Sequence, residues 1–320
     1  MKKIIILLLS IYLYSDNLLQ IYLKDGIGAV ENKLEAGLSD VKFWQTQLQG
    51  LDLKYGYYSD DAMVVVVDKD KQKLVLFEEK NNKLTPKFEQ SVITGLMGNK
   101  EREGDLKTPI GAYQVLNKMV PPDNYYGPYA FVLNYPNLYD KVRKKTGSGI
   151  WIHGFPLEGD VRYDAYKTKG CVVMTNDVLL DFNGIVNNKK IYVLINEKGV
   201  VSTNADEIAL ILANLFDWKN AWTNNDYKTY LSYYSDEFIK YDGTKISAFK
   251  EQKKAIFSRK QDKTIQFKDI NIIPYPNLEQ RKIFKITFYE NYATSSYTFN
   301  GEKVLYIELV NGKMSILTEQ

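Results

Sequence analysis

Apolar and polar positions along the chain fall into three regimes. From Val30 to Gly50, Leu34, Leu38, Val41 and Phe43 recur at near-helical spacing among charged residues, which predicts one or two short helices in a polar N-terminal element, 24–61. At Ala62 the pattern changes. Met63–Val67 is an unbroken apolar run rich in β-branched residues, Lys69–Gln72 reads as a polar turn, and Lys73–Glu79 completes a hairpin. Further strands are predicted at Phe88–Thr94, Gly111–Leu116, Ala130–Leu133, Ile150–His153 and Lys190–Asn196, between loops carrying Gly and Pro. One helix interrupts this mostly-β block of 62–198, where Thr175, Asn176 and Asp177 supply N-cap chemistry ahead of an apolar stretch.

After Val201 the period becomes helical again. Ile208, Leu212, Leu215 and Trp218 line one side of a helix over Ala205–Trp222, with Asp206 and Glu207 in its first turn, where the helix dipole favours acids. Two more helices are predicted over Asp226–Tyr234 and Ile246–Ser258. Alternating runs follow at Thr264–Ile273, Lys282–Ala293, Ser295–Ile307 and Lys313–Leu317. Helices followed by antiparallel strands describe an α+β domain over 204–320. The element 24–61 reads as a surface that packs on the domain following it or on a second copy of the chain, a route to a homodimer.

The first residues have a different character. Lys2 and Lys3 precede the apolar run Ile4–Tyr14, broken only by Ser10 and ended by Asp16. That is the layout of a signal peptide over residues 1–18, shorter than the roughly 20 residues that span a bilayer. Export is expected, with retention as an anchor as the alternative.

Composition narrows the chemistry. The 320 residues contain one cysteine, Cys171, and one histidine, His153, so an intrachain disulfide and a Cys/His metal cluster are both excluded. No metal and no cofactor is expected. A net charge of +3 gives no basis for nucleic-acid binding. His153 ends a strand-like run and precedes Gly154, whereas Cys171 follows Gly170 and opens another such run. A thiol and an imidazole at the ends of neighbouring strands can act as nucleophile and base, a neighbouring imidazolium lowering the thiol pKa. A glycine before the cysteine leaves backbone N–H groups open as an oxyanion hole, and the Gly154 carbonyl can orient the imidazole. Spacing alone leaves an inert buried thiol and a core histidine equally open.

Context adds a family resemblance. His153–Gly154, a loop, and Thr168–Lys169–Gly170–Cys171 together resemble the active-site signature of the LD-transpeptidase catalytic domain, YkuD, and Thr108–Pro109–Ile110–Gly111–Ala112–Tyr113 resembles its upstream T-P-x-G-x-[FY] segment. The resemblance covers about 62–196. It implies a mostly-β catalytic domain with Cys171 as nucleophile, His153 as base, Gly154 as the carbonyl that orients it, and the N–H groups of Gly170 and Cys171 as oxyanion hole. It also implies peptidoglycan stem peptides as substrates, cut after the L-centre of a diamino acid. Thr168, Lys169, Arg162 and Trp151 are the expected substrate-binding residues. The chain departs from the pattern at Lys169, where His is frequent, and at Val173, where Arg is frequent, so Lys169 and Arg162 are the cations left to hold a substrate carboxylate. Val120–Gly127 and Tyr163 are expected along the cleft.

The last domain resembles the nuclear-transport-factor-two-like fold, whose conical pocket implies binding of a glycan or partner; Asp236, Glu237 and Tyr241 are its polar candidates. The combination resembles the murein LD-carboxypeptidases of helical Gram-negative bacteria. That implies a periplasmic enzyme that trims tetrapeptide stems to tripeptides and shapes the cell. The alternatives are a transpeptidase forming 3–3 crosslinks through the same acyl-enzyme, or a non-catalytic wall-binding scaffold.

Overall fold

The computed structural model describes residues 17–81, 83–157, 168–186 and 189–320. The expected signal peptide lies almost wholly outside these residues, as do Arg162 and Tyr163. Among the described residues no helix is long and apolar enough to cross a membrane.

The N-terminal element comprises helical residues 17–25 (α1), α2 (Ile27–Leu38) and α3 (Val41–Gln47). Asp40 caps α3 by accepting the Lys42 N–H at 2.9 Å. The helices of this element pack on α6 (Ala205–Thr223) of the last domain, whereas Tyr55 and Tyr58, in the stretch that follows them, pack on Phe77 and Tyr192 of the β block. Trp44 stacks on Phe216 at 5.7 Å, Lys219 pairs with Glu35 at 2.6 Å, and Leu48 and Leu53 join the C-terminal core. The reason lies in α6 itself. It buries Ile208, Ile211, Leu212, Leu215, Trp218 and Trp222, more than one stripe, so it has to be covered on more than one side.

The β block forms one eight-stranded sheet in the order β3-β2-β1-β8-β4-β5-β6-β7. Its strands are β1 (Ala62–Asp68), β2 (Lys73–Lys80), β3 (Lys83–Ser91), β4 (Gly111–Met119), β5 (Ala130–Leu133), β6 (Trp151–His153), β7 (Val172–Val173) and β8 (Ile191–Asn196). Most neighbours are antiparallel, but β1 pairs parallel with β8, and β6 with β7. The unbroken apolar run in β1 follows from burial on both faces. Met63, Val65 and Val67 pack in one core with Leu179, Phe182 and Val186 of α5 (Asn176–Val186), while Ala62, Val64 and Val66 pack in another with Tyr275, Tyr306 and Leu317 of the last domain.

Two of the differences from expectation have a local cause. β3 begins at Lys83, five residues before the expected Phe88, because it is a largely exposed edge strand whose polar residues carry no apolar signal. The short helix α4 (Leu138–Val142) adds to the expected elements; it is held by a capping box between Asn137 and Asp140.

The last domain contains α6, α7 (Tyr227–Leu231), α8 (Ile246–Phe257) and a four-stranded antiparallel sheet. The strands are β9 (Thr264–Pro274), β10 (Ile283–Ala293), β11 (Thr298–Val310) and β12 (Lys313–Glu319), which lie side by side in chain order. Tyr275 links this domain to the catalytic one: its hydroxyl accepts from Asn137 Nδ2 at 3.2 Å and lies 3.5 Å from Asp140 Oδ1. Asp140, fully buried, also pairs with Lys145 at 3.3 Å.

Candidate active site

The parallel pair β6–β7 places the chemistry. Ile152 lies opposite Val172 and His153 opposite Val173. Side chains alternate along a strand and aligned residues share a face, so Trp151 and His153 lie on the same face as Cys171 and Val173. Two residues 18 positions apart thereby share one face at one edge of the sheet. His153 is 2% exposed and Cys171 8% exposed.

The segment around Thr108 supports the cysteine loop. The Thr168 N–H donates to Thr94 O at 3.1 Å, and the neighbouring Gly95 N–H to Thr108 Oγ1 at 2.8 Å. Gly170 has φ +123°, and a Cβ there would stand 2.8 Å from Lys107 O, so both backbone conformation and space require glycine. Here two expectations are corrected. The Gly170 N–H is not open for an oxyanion, because it donates to Thr168 Oγ1 at 3.0 Å. Thr168 is not a substrate contact: it is buried, and its hydroxyl donates to Cys171 O at 2.7 Å, bracing the loop. Among the described residues the Cys171 N–H makes no hydrogen bond, so it is the donor left for a developing oxyanion.

His153 Nδ1 lies 2.7 Å from Gly154 O. A carbonyl only accepts, so Nδ1 carries the proton and Nε2 keeps its lone pair. Gly154 cannot be larger, since a Cβ would overlap Asn176 Oδ1 and press on Leu179. Its N–H donates to Tyr126 O at 3.1 Å. The Tyr126 ring stands edge-to-face against His153 at 5.1 Å and against Trp151 at 4.8 Å.

Burial sets the charge state. It pulls the His153 imidazole down to about 4, against the opposing pull of the Gly154 carbonyl. It pushes the Cys171 thiol up to about 11, opposed by a bond from the Trp151 backbone and by the charge of Lys100. The expected thiolate stabilised by an imidazolium is therefore not the resting state. At neutral pH burial thus favours the uncharged form of both groups. Cys171 Sγ meanwhile donates to Gly149 O at 3.4 Å.

The remaining site residues divide. Trp151 is half-buried beside Tyr126, and Lys169 is exposed on the loop before the cysteine. Sequence reasoning missed Lys100, which is buried, donates to Asp105 Oδ1 at 2.8 Å and lies within electrostatic reach of Cys171. A lysine in a polar loop carries no sequence signal of such burial. Among the described residues no group of three or more His, Cys, Asp or Glu side chains is arranged to hold a metal ion.

A second recess lies in the last domain, a cavity of about 400 Å³ lined among others by Trp222, Lys253, Glu290, Tyr292, Lys303 and Glu319. Lys253 Nζ sits 5.0 to 5.3 Å from the ring centroids of Phe249, Trp222 and Tyr230, and burial pulls it down to about 8. Glu319 accepts from Tyr234 OH at 2.8 Å and lies 3.8 Å from Lys303. Asp236, Glu237 and Tyr241 do not line this cavity: Asp236 and Tyr241 are exposed, and Glu237 pairs with Arg281 at 3.2 Å.

Comparison with known proteins agrees with this fold. Residues 62–195 match the L,D-transpeptidase catalytic domain, YkuD, and residues 210–320 match the Cds6 C-terminal NTF2-like domain. The helical cell shape determining protein Pgp2 of Campylobacter jejuni is 48% identical over 88% of this chain and 99% of its own, with a TM-score of 0.84. Bd1075 of Bdellovibrio bacteriovorus is 25% identical over 84% of this chain and 96% of its own, with a TM-score of 0.64. A protein of Escherichia coli that carries the name L,D-transpeptidase YafK is 35% identical over 83 residues, 26% of this chain; the match spans 29% of that curated relative's length. The chain belongs to the L,D-transpeptidase family, as a YkuD catalytic domain joined to a C-terminal NTF2-like domain.

Proposed function

We propose that this protein is a periplasmic peptidoglycan LD-carboxypeptidase that trims tetrapeptide stems to tripeptides. The observation that carries this reading is the presence of buried Cys171 and His153 on one face of the sheet edge, with Nδ1 tied to Gly154 O and the Cys171 N–H unbonded among the described residues. Cys171 Sγ attacks the carbonyl at the L-centre of the diamino acid and its proton passes to His153 Nε2. The Cys171 N–H stabilises the oxyanion. Collapse expels the terminal D-amino acid, whose amine takes the proton from His153, leaving a thioester. Water then attacks, giving its proton to His153; the tripeptide departs as a carboxylic acid and sulfur is reprotonated. Lys169 and Arg162 are the cations assigned to the substrate carboxylate.

The C-terminal cavity is read as a non-catalytic site for a second stretch of muropeptide, since its cations, carboxylates and aromatic walls suit a ligand bearing carboxylate, amine and apolar groups. The cell-shape role named for Pgp2 is extended to this chain on the same reading. The N-terminal element leaves Leu19, Leu23 and Ile27 exposed and is the surface assigned to homodimer contact. The decisive test is incubation of purified protein with disaccharide-tetrapeptide, with products read by mass. Tripeptide formation that disappears in Cys171→Ala supports the reading, and 3–3 crosslinked dimers as sole products replace it with transpeptidation.

A further inference from the structure

Both outcomes of the acyl-enzyme depend on what can reach His153, and the ring of Tyr126 stands beside it. With Nδ1 committed to Gly154 O, any second nucleophile must deliver its proton to Nε2. The Tyr126 ring meets the imidazole edge-to-face at 5.1 Å, at an interplanar angle of 82°. Tyr126 also lies within electrostatic reach of Cys171.

This ring is not free to swing away. Tyr126 closes a 3-10 turn, Asn124–Tyr126, capped by Asp123, which accepts the Tyr125 N–H at 2.9 Å. Its carbonyl accepts the Gly154 N–H, and on its other flank it meets Trp151 at 4.8 Å. The next residue, Gly127, has φ +73° and no room for a side chain: a Cβ would stand 2.7 Å from Asn176 Oδ1 and 2.9 Å from Gly154 Cα. The turn, the histidine strand and the start of α5 are thus locked together at the point where the base is oriented.

We infer that Tyr126 is a specificity-determining residue, a fixed wall on the acceptor side of the thioester that passes water or a single free amino acid and excludes the amine of a second stem peptide. The inference rests on the acyl-enzyme reading above. Microscopic reversibility sets the size limit. The departing D-amino acid leaves through the same space that the second nucleophile enters, so the wall has to clear one amino acid. An acceptor stem brings the same amine on a much larger body. Either nucleophile balances identically: its N–H or O–H proton goes to His153 Nε2, the C–S bond breaks, and the thiol is restored.

The test uses the full chain with disaccharide-tetrapeptide as donor, disaccharide-tripeptide as acceptor, and the ratio of crosslinked dimer to hydrolysed tripeptide as readout. This ratio is a property of each acyl-enzyme and does not depend on the fraction of folded protein. Tyr126→Ala is expected to raise it about tenfold, as removal of a steric contact does, while Tyr126→Phe, which keeps the ring, leaves it at the wild-type value. Exchange of labelled free D-alanine into the tetrapeptide is expected in wild type and variants alike. An unchanged ratio in Tyr126→Ala overturns the inference, and so does a Phe variant that behaves like Ala. If Tyr126→Ala does not fold, Tyr126→Leu, which retains an apolar contact with Trp151, takes its place. Loss of all turnover in a variant with wild-type melting places Tyr126 in the first step and also overturns it. A wild-type protein that forms no acyl-enzyme removes the underlying functional reading instead, an outcome recognisable by intact mass before any variant is made.

Discussion

The catalytic cleft and the C-terminal cavity handle burial in opposite ways. In the cleft, desolvation strips charge: the imidazole is held near 4 and the thiol near 11, so at neutral pH neither is ionised. In the cavity, lysines and carboxylates are buried together. Lys253 lies among three aromatic rings, and Glu319 takes a tyrosine hydroxyl with Lys303 nearby. Yet Lys253 is also pulled down to about 8 and Glu290 is pushed up, so the same desolvation acts there and is only partly offset. A neutral pair can pass a proton when substrate arrives, whereas a set of fixed opposite charges can hold a ligand without transforming it. On the proposed function, chemistry belongs to the first recess and adhesion to the second.

The largest test of that division is removal of the thiol. Cys171→Ala is expected to lower turnover on the order of 10⁴-fold or more, read as tripeptide by mass, while binding of the variant to purified sacculi stays within twofold of wild type. A parallel loss of sacculus binding would erase the distinction between the recesses. Next in size is the glycine before it. Gly170→Ala combines a backbone at φ +123° with a Cβ 2.8 Å from Lys107 O, and should cost about 2–4 kcal/mol in chemical denaturation along with most activity.

Acid titration sharpens the electrostatic half. The folded pKa of His153, about 4, lies below its unfolded value near 6.5, so the unfolded chain takes up this proton first as pH falls. The stability due to a neutral His153 is complete above pH 6.5 and is lost as pH falls to 4, about 3 kcal/mol in all. His153→Gln should flatten the stability curve across that window, and a curve of unchanged slope would contradict the burial argument. The smallest expected effect lies in the cavity. Lys253→Met should weaken sacculus binding about tenfold yet change turnover of soluble disaccharide-tetrapeptide by less than twofold. A matching drop in soluble turnover would tie the cavity to the chemistry.

What can be read from sequence follows the range of each interaction. The β1–β2 hairpin, β5 and α6 are legible because their signals are local: an apolar run, a turn, a helical period. The histidine and cysteine are legible because each is unique in the chain and lies in a recognisable motif. The start of the edge strand β3 is hidden because an exposed strand has no apolar face to announce it. Thr168 reads as a substrate contact because its motif says nothing of where its hydroxyl points, and the bond to the Gly170 N–H appears only once the loop is closed. Lys100 and Lys253 look like ordinary solvated cations in one dimension. The burial of Lys253 depends on rings supplied by distant segments, Phe249 alone being near it in sequence, and that of Lys100 on a loop that closes its ammonium onto Asp105.

The two-sided burial of β1 bears on whether the halves of this protein can be separated. Ala62, Val64 and Val66, with Tyr192 and Leu194 beside them, are covered by Ile273, Tyr275, Tyr306 and Leu317. A fragment ending near Val201 would carry a bare apolar plate on its back, with Asp140 stripped of its contact to Tyr275. Such a fragment should precipitate or recruit chaperones, so mutation in either half that loosens this seam endangers the other half through proteolysis. The C-terminal half therefore serves the catalytic half as the cover of an apolar face, apart from anything its own cavity binds.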